Sequence, residues 1–414
     1  MRPRIFQQAL VGALALAVVG CGGGGGSNGN PAAASQSVNL PFVTVTICVP
    51  GNGAAPSSGN QVAMIVDGGP SGAPVPQAQP SAFCQTVDHI LVDTASSGLR
   101  IIASVLTAPL QNLPPQKIGA DNLGECMIFA DGVSWGSVRL ADVYIGGESA
   151  SSVPIHIIGD PAFPAIPSSC SSFGAEEDTV QTFGSNGVLG VSTFAQDCGP
   201  ACAGSAIPGS YYICPPSGCQ PVSVSLAQQV PNPVTKFAAD SNGVVLSLPA
   251  IGPAGAPSVT GTLTFGIGTQ GNNGLGGATI YDVDSVFGNF TTVYHGQAFT
   301  DSAFLDSGSN ALYFPDATIA VCGANTVAPG FYCPGSTLSL TAVNQGFANG
   351  NRGNVSFNVA DADALLSAAP AFAAFNNLGA TQQGSFDWGL PLFYGRTVYF
   401  AIEQTGPATP YVAY

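Results

Sequence analysis

The sequence predicts an all-β chain of two β lobes around a shared cleft, and three observations predict it. With 54 Gly and 33 Pro in 414 residues, 45% hydrophobic and only 7% charged, it has the profile of short strands between tight turns and lacks a Lys/Glu/Ala helical signature. Runs of Val, Ile, Phe and Thr recur between Gly, Pro and Asn clusters, as strands require. An acidic motif at the end of one such run occurs twice, 213 residues apart, which is the mark of an internal duplication. A chain of this length exceeds one ordinary core and suits two.

At the start, Arg2 and Arg4 precede an apolar run at 5–19 that is too short to span a membrane as a helix. It ends in Val18-Val19-Gly20-Cys21, which resembles a bacterial lipobox. Residues 1–20 are therefore expected to be a removable signal peptide, and Cys21 the site of lipidation, with palmitate or a similar acyl chain. Gly22 is not the Asp that resembles an inner-membrane retention signal, so the expected address is the cell envelope, lipid-anchored at the outer membrane and facing periplasm or cell surface. Residues 21–37, rich in Gly, Ser, Asn and Ala, read as a flexible tether.

Beyond the tether, runs at 42–49, 62–66, 90–92, 138–145, 153–158 and 244–248 read as strands. The expected division is an N-terminal β lobe at 38–235 and a C-terminal β lobe at 236–414. Eleven cysteines become an even number once Cys21 carries lipid, which suits five disulfides in an oxidising space. Cys322 with Cys333 is the easiest local pair, while Cys198, Cys202, Cys214 and Cys219 leave several pairings open. The histidines His89, His156 and His295 lie at no ligand spacing from a cysteine pair, so neither a metal nor a cofactor is expected. A formal charge of −15 would repel phosphates and anionic headgroups, which argues against nucleic acid and leaves the lipid as the sole membrane contact. A monomer is expected.

The duplicated motif carries the chemistry. His89-Ile90-Leu91-Val92-Asp93-Thr94-Ala95-Ser96-Ser97 places an apolar strand before Asp, a hydroxyl residue, a small residue and Ser, and Ala303-Phe304-Leu305-Asp306-Ser307-Gly308-Ser309-Asn310 does the same. Each copy is followed at comparable distance by a short segment ending in glycine, Val188-Leu189-Gly190 and Asp387-Trp388-Gly389.

On these motifs the chain resembles the pepsin-like aspartic peptidases from about residue 40 to its end. The stretch at 125–136 is similar to that family's flap hairpin, 142–147 to the strand after it, 261–266 to the strand entering the second lobe, and 392–403 to the closing hairpin. The resemblance implies a bilobal pepsin-like acid protease fold and a catalytic pair, Asp93 and Asp306, acting on a peptide or protein substrate. Two carboxyls a few ångströms apart cannot both ionise, so they share a proton. One draws a proton from a bound water that attacks the scissile carbonyl, and the other supports the developing oxyanion. Which does which stays open. By the same resemblance Thr94 and Ser307 would lock the two acid loops together, Ser96 and Ser309 would hold the outer carboxylate oxygens, Gly190 and Gly389 would be structural, and Phe129, Asp131 and Gly132 would belong to the flap.

The chain departs from the family pattern at three places. Ala95 stands for the usual glycine, Phe129 for the flap tyrosine, and Arg100 for the tryptophan that pairs with that tyrosine. There is no Lys or Arg between Arg4 and Arg100, so a basic masking prosegment is not expected. Two functions follow: an envelope endopeptidase with an acidic optimum and a preference for apolar side chains flanking the cut, or an inactive pepsin-fold lipoprotein that binds peptide or serves structure. Asp67, Asp131, Asp282 and Asp284 read as solvated turn residues, and His156 as an alternating strand residue. The stretch 266–271 has the spelling of a dinucleotide loop but is followed by Gly- and Asn-rich sequence where a helix should start, which argues against a nucleotide.

Overall fold

The computed structural model describes residues 38–53, 58–70, 78–108, 110–215, 217–403 and 409–414. The expected signal peptide, Cys21 and the tether lie outside the described residues. The chain is mostly β, and the longest helix among the described residues is Ala362–Ala368. No helix among the described residues is long and apolar enough to cross a membrane.

The described strands form two sheets, one of 18 strands and one of seven. The smaller is built wholly from strands between Phe290–Tyr294 and Phe386–Trp388. Its strand Arg352–Val359 buries Val355, Phe357 and Val359 and turns the residues between them outward, the period-two pattern of a sheet with one wet face. The larger sheet runs across residue 235. Gln61–Val66 pairs antiparallel with Val259–Phe265, matching Val62 with Leu263, and Gly243–Leu248 pairs with Arg396–Ala401. The apolar runs seen in the sequence fall in Pro41–Cys48, Gln61–Val66, Cys84–Asp93, Gly132–Ile145, Glu148–Ile158 and Gly243–Leu248.

Five disulfides close within this frame. Cys322 bonds Cys333, and the crowded segment closes locally as Cys198–Cys202 and Cys214–Cys219. The other two join residues distant in sequence. Cys48 and Cys84 face each other in the register of neighbouring strands, and Cys126 reaches Cys170.

Candidate active site

The two acid motifs are wired into their sheets in the same way. Cys84–Asp93 runs parallel to Gly187–Val191, which in turn runs antiparallel to Ser97–Ile102, with Gly190 opposite Asp93. In the smaller sheet Gln297–Leu305 runs parallel to Phe386–Trp388, which runs antiparallel to Leu312–Tyr313. Each acid thus leaves the end of a strand that the downstream segment holds from the side. The glycines there are required by close approach. A Cβ on Gly190 would lie 2.7 Å from the backbone carbonyl carbon of Ser96, and one on Gly389 would lie 2.0 Å from the Ala311 carbonyl oxygen.

The acids meet. A Cβ placed on Gly308 would stand 3.2 Å from Oδ1 of both Asp93 and Asp306, so the two inner oxygens face one point. Each inner oxygen accepts a backbone N–H two residues on, from Ala95 at 2.8 Å and from Gly308 at 2.7 Å. Each outer oxygen accepts a serine hydroxyl, Ser96 on Asp93 and Ser309 on Asp306, the latter at 2.9 Å. Such donors favour the ionised form, and two ionised acids side by side are disfavoured. Burial, and then the neighbouring Asp93 charge, push the Asp306 carboxyl up to about 8.

The loops are tied to each other across the sheets. Thr94 Oγ1 donates to the Leu305 carbonyl at 3.2 Å and accepts the Ser307 N–H at 2.9 Å, while Ser307 Oγ donates to the Val92 carbonyl at 2.7 Å. Thr94 and Ser307 are buried. Ala95, which carries a Cβ where Gly308 does not, borders a small cavity with Ser192, Phe194, Phe287 and Leu305.

A third acid joins the pair. Asp387 Oδ2 lies 2.6 Å from Ser309 Oγ, the same hydroxyl that reaches Asp306. Asp387 is 4% exposed, and its Oδ1 has no hydrogen-bond partner. Burial first, then the Asp306 and Asp93 charges, hold its carboxyl well above the usual carboxylate range. In the sequence Asp387 is visible only as a polar residue before Trp388-Gly389, and nothing local marks it as a partner of Ser309.

The hairpin residues form a separate arrangement. Asp121–Ile128 pairs with Gly132–Ile145, and the Phe129 N–H donates to the Gly132 carbonyl at the turn. The Phe129 ring packs edge-on against Phe183, with centroids 5.5 Å apart. Both outer edges of the hairpin are occupied. Tyr211–Ile213 pairs along one and Ala175–Glu176 along the other, and the Cys126–Cys170 disulfide adds a covalent tie.

Asp131 is not a solvated turn residue, contrary to the sequence reading. Its Oδ2 is buried without a partner, and burial pushes it up to about 7. Glu177 stands beside it and rises to about 9 through burial and the Asp131 charge. Asp282 and Asp284 do cap turns but are only 7% exposed, accepting the Ala348 and Asn349 and the Val286, Phe287 and Asn289 N–H groups respectively. Asp67 is partly buried and bonds the His89 ring at 3.1 Å.

Arg100 is wholly buried in a cluster that sequence reasoning did not anticipate. Its guanidinium donates to Glu125 at 2.6 Å, to the Ser97 carbonyl at 2.8 Å and to Asp197 at 3.4 Å. Tyr211 donates to Asp197, and His156 lies 3.2 Å from the second Glu125 oxygen. One guanidinium cannot balance two carboxylates in the interior. Accordingly the Arg100 charge, acting against burial, holds Glu125 low. Burial and the Glu125 charge raise Asp197, and burial lowers His156 to about 4, leaving it neutral. Arg100 and Asp197 lie 97 positions apart, and these residues share no local motif.

Comparison with known proteins bears on the whole of this region. Residues 60–414 match the family model described as "Protein of unknown function (DUF3443)". No curated protein matches the chain. Since the match runs from the strand Gln61–Val66 through both acid loops to Tyr414, the chain belongs to the DUF3443 family.

Proposed function

We propose that this protein is an aspartic endopeptidase of pepsin-like, bilobal fold, anchored in the cell envelope through a lipid on Cys21 and hydrolysing peptide bonds with the pair Asp93 and Asp306. The observation that carries the reading is the approach of the two inner carboxyl oxygens to one point, with each outer oxygen held by its own serine. The matched strand wiring around each acid supports the fold assignment. With its carboxyl pushed up to about 8, Asp306 is the proton holder. Asp93 then draws a proton from a water at the shared point, the water oxygen attacks the scissile carbonyl carbon, and Asp306 hydrogen-bonds the oxyanion. The same proton passes to the leaving amine as the C–N bond breaks. Preorganised serines and backbone N–H groups fix the acids beforehand, which is where much of the rate enhancement in such sites arises.

Incubation of the full chain with a mixed peptide library tests this between about pH 3 and about pH 9. Cleavage should occur, should fall as pH rises through about 8 where Asp306 gives up its proton, and should drop at least ~10³-fold in Asp93→Asn and in Asp306→Asn. Cleavage that survives either substitution overturns the pair.

A second reading, a non-hydrolytic peptide-binding or structural lipoprotein, is favoured by the hairpin. With both edges paired and Cys126 bonded to Cys170 it is held in place, and Phe129 offers no hydroxyl. Peptide binding without cleavage at any pH supports this alternative.

A further inference from the structure

Ser309 has one hydroxyl hydrogen and two carboxyl neighbours. Its Oγ lies 2.9 Å from Asp306 Oδ2 and 2.6 Å from Asp387 Oδ2. One hydrogen makes one strong bond, so the other short contact needs a proton that the neighbouring carboxyl supplies. Asp306 Oδ1 already accepts the Gly308 N–H and faces Asp93. Asp387 receives no other donor: its Oδ1 is buried and unpartnered, and the strand neighbours beside it, Phe304 and Tyr313, present no charge. The charged groups that face it are Asp306 and, farther off, Asp93. An ionised Asp387 would be a second or third buried negative charge without a cation, the costliest arrangement available.

We propose that Asp387 is a positioning residue of this site, a carboxylic acid that keeps its proton, donates it to Ser309 Oγ and so commits the single Ser309 hydrogen to Asp306 Oδ2. The chain Asp387–Ser309–Asp306–Asp93 is thereby polarised in one direction. The outer oxygen of Asp306 becomes a fixed acceptor, and the proton shared by the pair is confined to the inner oxygens, where substrate meets it. The effect on turnover rests on the peptidase reading; the protonation of Asp387 and its bond to Ser309 do not. The high proton affinity of the buried Asp387 carboxyl agrees with this direction.

Infrared difference spectroscopy of the full chain at pH 7 reads the protonation directly. The wild-type minus Asp387→Asn spectrum should contain a protonated-carboxyl C=O band, the band should persist in Asp93→Asn, and it should shift in Ser309→Ala because its proton loses its acceptor. Ionised carboxylate bands in that difference spectrum overturn the proposal. If Asp387→Asn does not fold, the comparison is made in the Asp306→Asn background, where Asp306 contributes no carboxyl band, and a C=O band that Ser309→Ala leaves unmoved there overturns the proposal. In the peptide assay Asp387→Asn, whose amide can still donate to Ser309, should lose about threefold in kcat, and Asp387→Leu about thirtyfold, with KM unchanged in both. Equal losses in the two variants overturn the positioning role. A wild-type chain that shows the C=O band but cleaves nothing leaves the Asp387 assignment standing and removes the peptidase reading.

Discussion

At Gly308 the second loop lacks the methyl group that Ala95 carries in the first. A carbon added there would sit 3.2 Å from an oxygen of each acid, in the space that the proposed mechanism gives to the nucleophilic water. Gly308→Ala should therefore lower cleavage by at least about tenfold while costing under about 1 kcal/mol in urea unfolding, since side-chain oxygens can give way by a few tenths of an ångström. Gly190→Ala has the opposite signature. Its Cβ meets the Ser96 backbone at 2.7 Å, which cannot yield, and about 1–3 kcal/mol of stability should be lost. Arg100→Met leaves Glu125 buried without its cation and should cost about 3–5 kcal/mol in the same measurement. Arg100 itself was legible in the sequence as a residue of note. Its partners Asp197 and Tyr211 were not, because they are brought in by strands paired only in the folded state.

Among the elements, the hairpin at 121–145 carries a carboxyl contact that titrates. Asp131 and Glu177 meet where Ala175–Glu176 pairs beside Gly132, and Gly132 leaves room for the Glu177 carboxyl, whose carbon lies 2.6 Å from where a Cβ would be. Both acids are raised in the fold, to about 7 and about 9, by burial first. A carboxyl whose folded pKa exceeds its unfolded value favours folding in its protonated form, so the stability it contributes is full below about pH 4 and drains away as pH rises towards about 9. Urea unfolding at pH 5 and pH 8 should thus show a loss at the higher pH, and Glu177→Gln should recover about 1–3 kcal/mol at pH 8 but little at pH 5. An identical pH dependence in the variant would contradict the pairing. Strand positions were readable because Val, Ile and Thr alternate there. That the hairpin edges are both covered was not, since neither Tyr211–Ile213 nor Ala175–Glu176 carries a pattern longer than three residues.

On the scale of the molecule, the acids stand in different sheets, and what holds them face to face is a small set of buried hydrogen bonds among Val92, Thr94, Leu305 and Ser307. Thr94→Val and Ser307→Ala should each cost about 1–3 kcal/mol in chemical denaturation. Their double variant should cost less than the sum, because both remove parts of one network. Independent, additive losses would mean that the loops are held by something else. The large sheet, which takes strands from both ends of the chain, adds a second connection through the pairing of Gln61–Val66 with Val259–Phe265.

The all-β class, most strand positions, the Cys322–Cys333 bond and the repeated acid motif at Asp93 and Asp306 were all legible in residue order alone. Each is announced locally, by alternation, by spacing or by a repeated motif, and local signals survive without coordinates. Asp387 beside Ser309, the Arg100 cluster and the Asp131–Glu177 contact were decided only by tertiary structure. A buried charge is defined by what surrounds it, and these neighbours arrive from segments tens of residues away whose own sequences look like ordinary strand or turn.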